Sequence, residues 1–185
     1  MENDRLNLPP GEIAADPAAM RRLIRAGEFA HPTAGLAAGY VQCNVVILPA
    51  AEADLFAEYC RSNPEVSPLL ARSKPGEYAI SKLGRGLDIR TDIGKYNVFR
   101  GQQTVIEVPD IMDIWRDDLV TFAMGCSFSF EDALRSEGVE VRYLSRGGRE
   151  VLYETTVATK AAGVLKGPLI VSMRPLRPAD AIRAI

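Results

Sequence analysis

Apolar residues recur along this chain in two patterns, at helical spacing or in short runs that are typical of strands. Helical spacing predicts one helix from Asp16-Pro17 to about residue 27 and another over 51–62, which ends at Asn63-Pro64. Short runs predict strands over 41–49, 139–143, 151–153 and 169–175, and a hairpin within 96–108. Of these strands, 151–153 is predicted to pair with 139–143, and 169–175 is predicted to be buried. The chain is therefore predicted to be an α/β protein with two lobes: a central mixed sheet flanked by helices, and a smaller β-rich lobe.

The two predicted helices also give expectations about burial. Leu55, Phe56 and Tyr59 share the inward face of the second helix. The three arginines of the first helix lie largely off its apolar face, at Arg21, Arg22 and Arg25. We assign them to a solvated surface, because this is commoner for such residues than an acid- or phosphate-binding site.

Residues 64–87 are rich in proline and glycine, which is typical of a linker between lobes. This predicts that residues 1–75 form the N-terminal part of the main α/β domain and that 76–185 form the remainder, including the smaller β-rich lobe. A helix pattern starts at Pro178 and stops at Ile185. We therefore expect the C-terminal part of the fold to lie beyond this chain.

The turn that follows the apolar run 119–124 is the best candidate for a functional site. Gly125 can take positive φ, and Ser129 with Asp132 predicts the N-cap of a helix. Free N–H groups at a helix start attract anions, and Cys126 and Ser127 would lie beside them. In the alternative interpretation, only small residues fit here and Cys126 is a buried apolar side chain.

Two amide side chains, Gln42 and Asn44, are two residues apart on a predicted strand and therefore point to the same sheet face. They bind either a ligand or a neighbouring backbone, and we favour the backbone. Ser172 and Arg174 share a face near the end of another predicted strand, where α/β sheets tend to bind ligands. Arg90, between two aspartates, forms either a structural ion pair or a bidentate carboxylate site.

Composition narrows the function further. The net charge is −2 and the pI is about 5.5, which gives no electrostatic reason to expect nucleic acid or an anionic membrane as a partner. No apolar run is long enough for a membrane span, and no apolar leader follows the N-terminal residues, so we expect a cytoplasmic protein. One histidine, His31, and three scattered cysteines suit neither a zinc site nor a disulfide framework. We expect no metal and no cofactor, with His31 an exposed loop residue.

Several segments together resemble the hydro-lyase family related to D-glutamate cyclase. They are Pro32-Thr33-Ala34-Gly35-Leu36, residues 39–42, residues 88–92, residues 117–120, residues 125–131 and residues 167–175. The resemblance implies a two-lobed α/β fold and loss of water from a small acid, which in D-glutamate cyclase means closure of D-glutamate to 5-oxo-D-proline. Ala38 stands where the family has proline, and Cys43 stands where a smaller residue is usual.

The leading hypothesis is thus a cofactor-independent hydro-lyase acting on a small amino or carboxylic acid. Such a site needs cationic anchors, a base and donors for the departing oxygen. The catalytic candidates are Cys126, Ser127, Asp117 and Asp118, with one of the aspartates as the base. The substrate-binding candidates are Arg90, Arg174, Ser129, Ser172, Arg116, Thr33, Gln42 and Asn44. The alternative is a non-catalytic protein that binds a small carboxylate, and a homo-oligomer is left open.

Overall fold

The structure of the protein is a computed structural model that describes residues 15–33, 35–101, 103–148 and 151–185. The helices in these ranges are α1 Pro17–Arg25, α2 Ala50–Ser62, α3 Ser127–Ser136, α4 Arg142–Ser145 and α5 Pro178–Arg183, with a 3-10 turn at Met112–Ile114. The strands are β1 Cys43–Pro49, β2 Leu69–Arg72, β3 Tyr96–Arg100, β4 Gln103–Val108, β5 Leu119–Gly125, β6 Leu152–Ala158 and β7 Pro168–Ser172. The predicted mixed α/β class is confirmed.

The central sheet is antiparallel and has the order β1-β5-β2, with β5 in the middle. Four consecutive residues of β5, Val120 to Ala123, are buried. Because both faces of this middle strand are covered, polar and apolar residues need not alternate along it, which explains the continuous run of buried residues. Val120 and Phe122 pack against α2, where the rings of Phe56 and Phe122 meet edge to face at 4.9 Å.

The inward face of α2 differs from the prediction. Leu55, Phe56 and Tyr59 are only half-buried, whereas the buried residues are Ala53, Ala57 and Cys60. These small side chains are four and three residues apart, so they form one stripe along the helix. Small side chains let the helix backbone approach the sheet closely, and the larger ones pack along the sides of that contact.

Residues 64–87 do not form the predicted linker. They contain β2, which pairs with β5, and Ile80, which belongs to a core cluster with Ala71, Ile89 and Ala123. Proline and glycine set the turns of this stretch, but its apolar side chains cover the second face of the sheet. The predicted domain boundary at residue 75 stays a prediction.

The two-stranded elements confirm one prediction and correct two. The hairpin is present as β3 and β4. The predicted strand at 139–143 is wrong: Val139 and Val141 are buried beside Leu134, but the chain enters α4 at Arg142. Strand β6 pairs instead with β7, which was predicted to be buried, yet Ile170 is 51% exposed.

Helix α1 begins as predicted, because the Asp16 carboxylate accepts a hydrogen bond from the Ala18 N–H at 2.9 Å. Its arginines are not all solvated. Arg21 and Arg25 both form ion pairs with the buried carboxylate of Asp92, so the predicted surface role holds only for Arg22. Within the part of the chain that the structure describes, no helix is both long and apolar enough to cross a membrane.

The position of Phe122 generates a stability prediction. Phe122→Ala is expected to lower the free energy of unfolding by about 3–5 kcal/mol, because it leaves a cavity between β5 and α2. The matched control is Phe99→Ala on β3, where the ring is 61% exposed and the expected change is below about 0.5 kcal/mol. Urea denaturation of both variants measures the difference, and equal losses would contradict this account of the core.

Candidate functional site

A cleft of about 1340 Å³ runs along the outer edge of β1. All seven residues of β1 line it, and β3, Ile111 and residues 113–116 supply further lining. His31 and Thr33 reach it from the loop after α1, and Cys126 and Phe128 reach it where β5 passes into α3. The cleft therefore contains the predicted turn and several side chains that can exchange protons or hydrogen bonds.

The turn itself differs from the prediction in its capping. Helix α3 begins at Ser127 with Cys126 as its N-cap, and no side chain caps it. The predicted N-cap, Ser129, lies inside the helix, where its Oγ accepts a hydrogen bond from the Gln42 N–H at 2.8 Å. Asp132 accepts one from the Gly39 N–H at 3.1 Å. Both side chains therefore tie the loop before β1 to α3.

Gly125 is needed for space and not for its backbone angle. Its φ is not positive, in contrast to the prediction. A Cβ atom at this position would lie 3.1 Å from the Pro68 Cγ, which is closer than ordinary van der Waals contact. The Gly125 N–H also donates to the Pro68 carbonyl at 2.9 Å. The glycine thus lets the end of β5 pack directly against the residue that precedes β2.

Five predicted site residues line the cleft: Thr33, Gln42, Asn44, Arg116 and Cys126. The Gln42 amide is already engaged, since Thr33 Oγ1 donates to its Oε1 at 2.9 Å and its Nε2 donates to the Leu36 carbonyl at 3.0 Å. This agrees with the predicted preference for backbone. The side chains of Asn44 and Cys126 have no hydrogen bond to any described residue, so they are the groups that a ligand can engage.

Asp117 and Asp118, the predicted bases, lie at the opposite end of β5 from Cys126. The seven residues of β5 separate Asp118 from Cys126, a distance of eight residue steps or about 26 Å at 3.3 Å per residue. Asp118 forms an exposed ion pair with Arg116 at 2.8 Å, and this hydrogen bond holds the pKa of the carboxyl below its usual range. The structure therefore does not bring either aspartate to the turn.

Arg174 lies on the α3 side of the turn, within a buried cluster. It pairs with Glu131, and the two side chains are only 11% and 3% exposed. Its guanidinium also donates to the hydroxyls of Ser172 and Ser127, the latter at 3.3 Å. The Tyr143 hydroxyl donates to the other Glu131 oxygen at 2.5 Å. The predicted residues Ser127, Ser172 and Arg174 are thus brought together.

Arg90 lies apart from both the cleft and this cluster. It pairs with Asp88 at 2.8 Å, and its guanidinium stacks on the Tyr78 ring at 3.6 Å. The hydrogen bonds from Arg90 hold the pKa of the Asp88 carboxyl below its usual range. These contacts are those of a structural ion pair, the alternative that the sequence left open.

Sequence reasoning missed several groups at the site. Glu131 was not singled out, although its position four residues after Ser127 places both on one helical face. His31 was predicted to be exposed, but it is half-buried with its ring 5.6 Å from that of Phe29. Lys95 lines the cleft with its partner Glu107 at 2.7 Å. No cluster of three or more metal-ligating side chains occurs among the described residues.

Comparison with known proteins shows the family to which the chain belongs. A family model described as D-glutamate cyclase matches residues 120–185. A protein named "Putative hydro-lyase" from Gluconacetobacter diazotrophicus is 50% identical over 185 residues, which are 100% of this chain and 66% of that protein. One of the same name from Bordetella petrii is 52% identical over 161 residues, covering 87% and 61% of the two chains. The chain belongs to the hydro-lyase family related to D-glutamate cyclase.

This hydro-lyase family member spans about two thirds or less of the length of the relatives it matches, between 58% and 66%. The segment matched by the family model contains the turn and the buried cluster, from Cys126 through Glu131 to Arg174. Thr33, Gln42 and Asn44 lie outside that segment but within the region shared with the Gluconacetobacter relative. The residues on both sides of the turn therefore lie in sequence that this chain shares with its relatives.

The buried pair in this family member generates a second stability prediction. Glu131→Gln keeps the shape but removes the negative charge that pairs with Arg174 in this buried cluster, so we expect the free energy of unfolding to fall by about 3–5 kcal/mol at pH 7. The control is Asp118→Asn, which breaks the exposed pair with Arg116 and should have no measurable effect. Guanidinium denaturation tests both variants. A Glu131 variant as stable as the parent would show that the pair carries little stability.

Proposed function

We propose that this chain carries the site of a cofactor-independent hydro-lyase that removes water from a small amino or carboxylic acid. Family membership supports the class of reaction. The observation that carries the choice of site is the turn after β5. There Cys126 lines the cleft, while the next residue, Ser127, contacts the Arg174 cluster. D-glutamate, which closes to 5-oxo-D-proline, is the first substrate to test.

The chemistry of that closure defines what the site must supply. The amine nitrogen forms a bond to the side-chain carboxyl carbon, one oxygen of that carboxyl leaves as water, and the amine loses protons on the way. A base must accept a proton from nitrogen, and a donor must protonate the departing oxygen. Fixed N–H dipoles stabilise the negative charge that develops on the remaining oxygen.

The cleft contains candidates for each of these roles. Cys126 and His31 line the same cleft, and imidazole is the commonest side chain in proton transfer. The uncapped first turn of α3 offers backbone N–H groups for an oxyanion. Lys95 supplies positive charge to the cleft wall, whereas Arg116 lines the cleft at the far end, beside Asp118. These groups replace the two aspartates in our proposal, because the aspartates lie at the far end of β5.

A non-catalytic protein that binds a small carboxylate is the second candidate. The observation that favours it is the separation between Cys126 and the predicted bases Asp117 and Asp118, since a binding site needs no base. We further propose that the ligand is a small amino or carboxylic acid and that the protein acts in the cytoplasm. The three free thiols, Cys43, Cys60 and Cys126, support a reducing location.

The first test of function is turnover of D-glutamate and related acids, measured as 5-oxoproline by chiral chromatography. Cys126→Ala is expected to lower kcat/KM by about 10²–10⁴-fold if the thiol transfers a proton or orients the substrate. Cys60→Ala is the matched control, because Cys60 is a buried residue of α2 and does not line the cleft. Binding of these acids without water loss by the parent chain would decide for the non-catalytic alternative.

The second test concerns Arg174, which does not line the cleft but contacts Ser127 at the turn, and which we propose as an anchor for a carboxylate held there. Arg174→Lys keeps the charge but loses the two-pronged geometry, so affinity should fall by roughly 30-fold or more, or about 2–5 kcal/mol. Arg22→Lys, on the exposed surface of α1, is the control. Calorimetric titration with D-glutamate and 5-oxoproline measures both, with melting curves to show that each variant is folded. Parent-like binding by the Arg174 variant would remove it from the site.

A further inference from the structure

Strand β1 has a hydrogen-bonding edge that no described element covers. It lies at the side of the sheet order β1-β5-β2, so β5 pairs with only one of its edges. All of its residues, Cys43–Pro49, line the cleft. The open edge of the sheet therefore faces the cleft and not the bulk surface of the protein.

The register shows which backbone groups point into the cleft. Just outside β1, the Cys126 N–H donates to the Gln42 carbonyl at 3.2 Å, and the Ala50 N–H donates to the Asp118 carbonyl at 2.8 Å. Hydrogen-bonded pairs alternate along an antiparallel ladder, so the even-numbered residues of β1 bond to β5. The N–H and C=O groups of the odd-numbered residues, Cys43, Val45 and Ile47, therefore point away from β5. No hydrogen bond to these groups is found in the described part of the chain.

Apart from Pro49 at its end, this edge has none of the features that normally protect an exposed strand. Its sequence, Cys-Asn-Val-Val-Ile-Leu-Pro, carries no charge, and its pairing with β5 is free of bulges. The opposite edge strand, β2, is short, ends in Arg72 and has a register shift. Short length, charge and bulges are the usual means of preventing unwanted pairing. Of the two edge strands of the central sheet, only β1 lacks all three, which indicates an edge that is built to be paired.

We propose that the free edge of β1 pairs with an additional strand, supplied by the part of the polypeptide that the longer relatives have outside the region matched here. The Gluconacetobacter relative matches all 185 residues over only 66% of its own length, so about a third of its chain is available for this role. The added strand would be uncharged where it faces β1, since β1 itself has no charged residue. This proposal does not depend on the proposed function.

The cleft favours a single strand as the occupant over a second copy of the chain. For two copies to pair through β1, each edge would have to enter the cleft of the other. In each copy β3, Ile111 and residues 113–116 also line that cleft, so they would oppose the approach. A single extended segment of about seven residues meets no such obstacle, because it is about 23 Å long and one strand wide.

Amide exchange measured by NMR tests the proposal residue by residue. In the 185-residue chain alone, the amides of Cys43, Val45 and Ile47 should exchange at least about tenfold faster than those of Asn44, Val46 and Leu48. The unmatched part of the Gluconacetobacter relative is then produced separately and added. The three outward amides should slow by about tenfold or more, while the three inward amides change little.

Two variants separate the contribution of the Val45 backbone N–H from that of its side chain. Val45→Pro removes the central outward N–H and should weaken binding of the added segment by about tenfold or more. Val45→Ala loses the same side-chain packing but keeps the N–H, so it should bind much more like the parent. The full-length relative gives a second measurement that needs no reassembly: all amides of the matching strand should exchange slowly.

Several outcomes would overturn the proposal. Outward amides that are already slow in the 185-residue chain at low concentration would mean that another segment covers the edge. Slowing that rises with protein concentration, together with a doubled mass, would mean that a second copy covers it. Fast alternate amides in the matching strand of the full-length relative would show that the edge stays open, whatever the added segment does.

Discussion

The burial of β5 between two neighbours and two covered faces is the constraint on which the structure depends. Val120 and Phe122 point to α2, while Ala123 points to the cluster around Ile80 and Ile89. A slip of one residue in pairing would exchange these two sets of side chains, so packing on both faces fixes the register. That register also decides where the chain leaves the sheet. Cys126 reaches the cleft because β5 ends one residue earlier, at Gly125.

Ion pairs with buried carboxylates join elements outside this sheet to one another. Glu131 on α3 holds Arg174, which follows β7, and Asp92 holds Arg25 on α1. A lone buried charge is costly, so each carboxylate requires its arginine in a defined place. Apolar packing alone would allow the small elements several positions. The cluster around Glu131 therefore also sets the position of Ser127, the first residue of α3.

Local sequence predicted those features that local chemistry decides. The helix start at Asp16, the strand containing β1 and the hairpin of β3 and β4 follow from capping and periodicity. The strand predicted at 139–143 failed because alternation records which side chains are buried, not whether the backbone pairs. Ser129 failed as an N-cap because its hydroxyl binds the N–H of a residue 87 positions away. In the same way, Cys126 and Gln42 were predicted from sequence and line the cleft, but the distance of Asp117 from the turn depends on the direction of β5.

The polar groups of the cleft and the open edge of β1 affect each other. Its polar groups, including Cys126 and His31, lie beside an edge strand whose outward backbone groups are open to water. Charge interactions weaken in contact with water and strengthen when a wall excludes it. A strand paired along β1 would narrow the cleft and lower the effective dielectric constant around those groups. The hydrogen bonds of Asn44 and the N–H groups of α3 to a bound acid would then be stronger. Completion of the sheet and the strength of acid binding are therefore expected to rise together, even though different atoms carry them.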